Sequence, residues 1–428
     1  MTRVIHTGDT HVGYRQYHSP ERRQDFLDAF EAVIDDAVEP RSTGDQTESG
    51  DAIEHSSMGN RTKSDDAVDA VVHAGDLFHD RRPDLPDLLG VLSALRRLDD
   101  AGVPFLAIVG NHEATRGSQW LDLFENLGLA TRLSDDPTVV GDTAFYGLDH
   151  VPRSRRDDLD YDFAPPSADA DATALVAHGL FTPFPHADWD TEAMLDAASV
   201  DFDAVLLGDN HAPDTAQVDG TWVTYCGSTE RASADERDAR GYNLVAFGDD
   251  TVDIRRRSLD TRPFAFVDVE LAADEGVERV RERVREHDLS DAVAVVSITG
   301  DGEPVTPAAV EDAAVEAGAL LARVTDHRAV GGDATDAAPD VDFADPDAAV
   351  RERVREMELS DLGRRLDETV RDDAITDSNV RDRVASAVGD AVADDALDGP
   401  SASGAGETET DGDADAPDED QVSMEDFL

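Results

Sequence analysis

The sequence predicts an α/β fold on three observations. Short apolar runs alternate with amphipathic helical stretches up to about residue 260. Each run ends in a polar or glycine-containing turn. A second, smaller strand–helix alternation then occupies 262–330.

Val4–His6, Ala70–His73, Phe105–Val109, Leu175–His178 and Ala204–Leu207 read as buried strands. Ser19-Pro20-Glu21 opens a helix, with serine as cap and proline in the first turn, that carries Phe26, Leu27, Phe30 and Ile34 on one face. Asp84 to Leu98 is a second amphipathic helix. Residues 41–66 are rich in Ser, Thr, Gly and Asp without periodicity, the composition of a disordered surface insertion. The second unit reads as strand Phe264–Val269, helix Glu275–Glu286, strand Val293–Ile298, helix Pro307–Ala317 and strand Leu320–Val324.

A Gly/Asp/Ala-rich linker at 331–345 follows. Over 346–395, Val350, Val354 and Met357 form one stripe, Leu362, Leu366 and Val370 continue it, and Val380, Val384, Val388 and Val392 form another. Such narrow apolar seams suit helices that dock on a partner; packing back on the chain's own core is the alternative. Residues 397–420 have the composition of a disordered acidic tail.

The chain of 428 residues is 40% hydrophobic and carries a formal net charge of −59, from 96 Asp and Glu against 37 Lys and Arg. Lys63 is its only lysine. A carboxylate coat spread over helices as well as loops reads as adaptation to very high salt, where repulsion is screened. Acidity of that origin does not exclude nucleic acid as a ligand. Cys226 stands alone, which excludes an intramolecular disulfide and fits a reducing cytoplasm. No signal-peptide pattern precedes Arg3-Val4-Ile5, and no apolar run approaches the roughly 20 residues that span a bilayer.

The informative signal lies at the strand ends. Gly8-Asp9-Thr10-His11, Gly75-Asp76, Gly110-Asn111-His112-Glu113, His178 and Gly208-Asp209-Asn210-His211 each follow or close one of the five strands. In an open α/β sheet the carboxyl ends of strands gather at one edge, so residues remote in sequence can pool there. Mixed His, Asp and Asn ligands suit Mn²⁺, Fe²⁺ or Zn²⁺. Two such ions sharing a carboxylate, about 3.5–4 Å apart, clamp the attacking and leaving oxygens of a phosphoryl centre.

This pattern resembles the calcineurin-like metallophosphoesterase superfamily, whose two central mixed β-sheets are flanked by helices. More closely, Asp9-Thr10-His11-Val12-Gly13-Tyr14, Gly75-Asp76-Leu77-Phe78-His79, Gly227-Ser228-Thr229-Glu230-Arg231 and Arg262-Pro263-Phe264 resemble the Mre-eleven/SbcD nucleases of DNA double-strand-break repair. The resemblance is convincing over about residues 1–270 and architectural beyond, where 262–330 corresponds in position to a DNA-capping α/β domain. It implies a domain at 1–260 with double-strand 3′→5′ exonuclease and single-strand endonuclease activity using two Mn²⁺ per subunit, with Mg²⁺ or another divalent ion as the alternative. It also implies a homodimer and a Rad-fifty/SbcC-type ATPase partner, with 346–395 as its docking segment.

Carried across by motif, Asp9, His11, Asp76 and His211 hold the first metal. Asp76 bridges to a second held by Asn111 and His178, and His112 is the catalytic histidine. Tyr14, Arg15, Tyr17, His79 and Arg231 are the candidate substrate contacts. At molar salt the Debye length is about 3 Å, so DNA must be held by short contacts and avidity rather than by steering.

The superfamily's Gly-His-x-His is Gly208-Asp209-Asn210-His211 here. Asp209 either ligates the second metal through oxygen, favouring Mn²⁺, or misses it and leaves that site weak. As a ligand it also makes the bridging water less acidic and raises the pH optimum. Glu113 stands where the family has Asp. At the C-terminal end, Gln421, Met424, Phe427 and Leu428 have the spacing of a sliding-clamp (PCNA) motif, with chance apolar residues as the alternative. Two other functions stay open: a phosphodiesterase or phosphatase for small esters, and a DNA-end tethering scaffold whose second site has decayed.

Overall fold

The computed structural model describes residues 1–328 except 39–66, 116, 169 and 249–250, together with Val384. The expected insertion at 41–66, the linker, the docking helices (Val384 apart), the acidic tail and the clamp motif lie outside the described residues.

Two six-stranded sheets stack face to face. The first contains β1 (Thr2–Thr7), β2 (Ala70–His73), β3 (Phe105–Ala107) and β4 (Thr131–Arg132), mutually parallel. The second contains β5 (Thr138–Val140), β6 (Thr143–Leu148), β7 (Ala172–His178), β8 (Ala204–Gly208), β9 (Asp214–Val218) and β10 (Thr221–Tyr225), with β6, β7, β8 and β10 parallel and the two edge strands antiparallel. The chain then returns to the first sheet through β11 (Gly241–Gly248) and β12 (Thr251–Ser258), antiparallel beside β1.

The two central mixed sheets implied by the family resemblance are present, and the five strands that carry the candidate ligands divide three and two between them. Period-two alternation explains the stacking. Val4, Val72, Leu106, Val176 and Leu206 meet in the core between the sheets. Their neighbours Ile5 and Val71 face the opposite way, toward α1 (Pro20–Val38), α2 (Leu85–Ala101) and α3 (Trp120–Asn126). Val205 and Leu207 face α4 (Thr191–Ala197). On α1, Phe26, Phe30 and Ile34 are fully buried, each contributing roughly 1.5–3 kcal/mol.

A separate three-stranded parallel sheet comprises β13 (Phe264–Leu271), β14 (Val293–Gly300) and β15 (Leu321–Asp326). Helices α5 (Val277–Arg285) and α6 (Pro307–Glu316) cross over between its strands, and Val280, Val284 and Val310 pack into its core. Arg262, just before β13, grips Asp25 of α1 with two hydrogen bonds of 2.6 and 2.8 Å.

His6 on β1 and His73 on β2 are buried, and burial pushes both pKa values down to about 3. Both stay neutral when folded, whereas an unfolded imidazole binds a proton below pH of about 6.5. Their contribution is therefore complete above the unfolded pKa and lost progressively as pH falls toward the folded one. Between pH 6.5 and 5 the expected loss is about 2 kcal/mol per histidine. Denaturant midpoints at fixed salt should fall over that interval, and His6→Leu should flatten the fall; an unchanged slope in the variant would contradict the assignment.

Candidate metal centre

The loops after β1 and β2 are zipped together by backbone bonds Asp9 N–H to Gly75 O, His11 N–H to Asp76 O and Val12 N–H to Leu77 O, of 3.0, 3.0 and 2.9 Å. The chain turns so sharply here that Asp9, His11, Asp76 and Asp209 all adopt left-handed backbone, with φ of 49°, 42°, 57° and 89°. For residues other than glycine this conformation is costly and collects at functional sites. Glycines allow the close approach. A Cβ on Gly110 would lie 2.1 Å from Asp76 Oδ1, and one on Gly208 would lie 2.2 Å from the Ala74 carbonyl oxygen.

The strand ends of both sheets therefore meet in one buried cluster. Asp9, His11 and His211 bring a ligand atom each to within 4.8 Å of one another, as do Asp9, Asp76 and His178. Asp76 Oδ1 accepts the His112 backbone N–H at 2.9 Å. Asp76 Oδ2 is buried without a hydrogen bond and lies 3.5, 3.9 and 4.0 Å from Nε2 of His178, His11 and His112. Asn111 Oδ1 is 2.9 Å from His178 Nε2, and the Nε2 atoms of His11 and His211 are 3.0 Å apart.

These contacts fit a cation. His178 Nδ1–H donates to the Ala74 carbonyl at 2.8 Å, and His211 Nδ1–H donates to Glu236 Oε1 at 2.9 Å. In the neutral imidazoles both Nε2 atoms then carry lone pairs. A lone pair of His178 facing the carbonyl oxygen of Asn111 is repulsive until a positive ion or a proton separates them. Without an ion, protons take that role. Burial disfavours the His178 imidazolium, but Asp76, Asp209 and Asp9 outweigh it and hold its pKa well above the ordinary value. Burial, with Asp76 and Asp209 nearby, pushes Asp9 up to about 6. Burial also opposes the Asp76 carboxylate, yet His178, His112 and His11 hold its pKa well below the usual range.

The remaining candidates take different places. His112 Nδ1–H donates to the His79 carbonyl at 3.0 Å, which aims Nε2 at the cluster. The His79 ring lies 5.0 Å from that of His112 and stacks on Tyr14 at 4.0 Å. Arg15 sits at the rim, paired with Asp84 at 3.1 Å. Arg323 lies 5.9 Å from the Tyr17 ring centroid. Asp209 gives its backbone N–H to Asp9, and its Oδ1 is 3.9 Å from His178 Nε2. Glu113 is buried and ties two loops together by accepting the N–H groups of Phe78 and Gly110.

Arg231 is held by the protein's own acceptors. Its three guanidinium nitrogens donate to the Glu236 carbonyl, Thr261 Oγ1 and the Asp238 carbonyl, and its head lies 5.2 Å from the Phe264 ring. Glu236 and His150 escaped the sequence reading. Glu236 belongs to no strand end, and His150 follows β6, a strand whose Thr-Ala-Phe-Tyr-Gly-Leu sequence gave no distinctive apolar run. The His150 ring lies 5.9 Å from that of His178.

Fold and pooled ligands together define a metal-dependent phosphoesterase, and a model of the calcineurin-like phosphoesterase family matches residues 2–213. Within that class the chain belongs to the Mre11 family of DNA double-strand break repair proteins. It is 68% identical to the DNA double-strand break repair protein Mre11 of Haloferax volcanii over 395 residues, covering 92% of this chain and 83% of that one. Identity to the Halobacterium salinarum protein of that name is 58%, over 93% and 96% of the two chains. For the Methanosarcina acetivorans protein it is 40%, over 88% of this chain and 59% of the relative. The two haloarchaeal relatives accord with the high-salt reading of the acidic coat. Among the described residues, no helix is long and apolar enough to cross a membrane.

Proposed function

We propose that the chain is a Mn²⁺-dependent DNA nuclease, a double-strand 3′→5′ exonuclease and single-strand endonuclease in break repair. The observation that carries the metal half of this reading is Asp76 Oδ2, buried, unbonded and ringed by three imidazole nitrogens. The relatives' name supports DNA as the substrate class.

In this reading Asp9, His11, Asp76 and His211 hold one ion, and Asp76, Asn111 and His178 hold the other. A bound pair of divalent ions supplies charge neutralisation at the phosphoryl oxygens and an acidified attacking water. The chain's own residues do the rest. The Ala74 and Glu236 acceptors fix His178 and His211 in the ligating tautomer. The His79 carbonyl points His112 Nε2 inward, to stabilise the scissile phosphate or protonate the leaving 3′-oxygen. Tyr14, Arg15, Tyr17 and His79 line the approach for short-range contacts.

The protein works in the cytoplasm as a homodimer with a Rad-fifty/SbcC-type ATPase. In the same proposal, residues 346–395 dock that partner, 262–330 caps the DNA, and 421–428 engages the sliding clamp.

In the same proposal Asp209 would ligate the second ion through a carboxylate oxygen, which lies 3.9 Å from His178 Nε2. Asp209→His should then shift the metal preference from Mn²⁺ toward Zn²⁺ and lower the pH optimum. Purified protein in high salt with Mn²⁺ should degrade labelled DNA. Cleavage of a chromogenic phosphodiester alone would establish the small-ester reading instead. DNA-end binding without cleavage of either substrate would establish the scaffold.

A further inference from the structure

One loop between β10 and β11 touches both the metal cluster and the 264–326 unit, and Glu236 is its pivot. The Glu236 carboxylate faces inward: Oε1 accepts His211 Nδ1–H at 2.9 Å, and Oε2 accepts Ala232 N–H at 2.9 Å and Arg240 Nη1–H at 3.2 Å. Its backbone carbonyl faces the other way and accepts Arg231 Nε–H at 2.9 Å. The Arg231 guanidinium lies over the Phe264 ring, 5.2 Å from its centroid, and that of the buried Arg22 lies 5.0 Å from the same centroid. The next residue, Arg237, forms a two-pronged pair with Asp268 at 2.7 and 2.8 Å and lies 4.9 Å from the Phe266 ring.

We infer that Glu236 is a positioning residue that orients His211 for metal binding and, through Arg231 and Arg237, couples occupancy of the metal cluster to the seating of the 264–326 unit. This deepens the proposed two-metal reading and rests on it. The physical basis is that a carboxylate behind a ligating imidazole fixes its tautomer and ring angle. When an ion locks His211, it locks Glu236, and the loop backbone that anchors Phe264 and Asp268 loses freedom. Linkage makes the effect reciprocal: a unit seated firmly favours the ion, and the ion favours seating.

The test is calorimetric titration of Mn²⁺ into the chelator-stripped full chain at molar KCl, paired with hydrogen exchange over 259–271. Glu236→Ala should raise the Mn²⁺ dissociation constant about 10–100-fold. Glu236→Gln keeps an oxygen that accepts Nδ1–H and should recover most of that loss. Mn²⁺ should slow exchange over 259–271 in the wild type and not in Glu236→Ala. Wild-type affinity in Glu236→Ala, equal weakening in both variants, or exchange insensitive to Mn²⁺ in the wild type overturns the inference. The His211→Ala variant separates the two levels: if it binds Mn²⁺ as the wild type does, the metal reading itself has failed.

Discussion

Asp76→Ala should abolish the binding of divalent ions and lower phosphodiester hydrolysis at least about 1,000-fold, equivalent to roughly 4 kcal/mol of transition-state stabilisation. No other side chain in the cluster is so placed. Its Oδ2 is the point on which His11, His112 and His178 converge, and its Oδ1 fixes the loop carrying Asn111 and His112 through the His112 amide. In the proposed site, removing it would delete a ligand and loosen the loop that presents two more residues. Calorimetry with Mn²⁺ reads the first effect and steady-state cleavage the second. Retained stoichiometric binding with full activity would show that the carboxylate is a bystander.

His112→Ala should behave differently. The kcat for DNA cleavage should fall about 100–10,000-fold, the range for loss of a positioned proton donor, while Mn²⁺ affinity changes only a few-fold. His112 Nε2 stands 4.0 Å from Asp76 Oδ2, while its Nδ1–H is held by a carbonyl outside the metal set. Loss of metal affinity in parallel with kcat would make His112 a ligand instead, and an unchanged kcat would remove it from the chemistry.

The strand-end motifs were legible because they are local: a glycine that lets the chain turn and then a metal-capable side chain, or, for His178, the last residue of its strand. Asp9, His11, Asp76, Asn111, His178 and His211 are all brought together from such positions. Helix α1 was legible for a similar reason, with Phe26, Phe30 and Ile34 on one face and a proline in its first turn. The edges of the two sheets were less visible. Strands β9, β10 and β12 are edge or near-edge elements in which polar residues interrupt the apolar pattern, as in Thr-Val-Asp-Ile-Arg-Arg-Arg-Ser of β12.

What the sequence could not convey is tertiary. Glu236 lies in an irregular loop, and only folding sets it against His211, 25 positions earlier. Arg231 read as a candidate substrate contact, and its packing against carbonyls and Phe264 is set only by the fold. Asp209 sits between these cases. Its place in the loop after β8 was legible, whereas its hold on Asp9 runs through its backbone amide, which no residue type reveals.

The most direct test of the two-ion site is anomalous X-ray scattering at the manganese edge from crystals of the protein equilibrated with Mn²⁺. The account predicts two peaks about 3.5–4 Å apart. One should lie against Asp9, His11 and His211, the other against Asn111 and His178, with Asp76 between them. A single peak, or peaks away from these side chains, would contradict it.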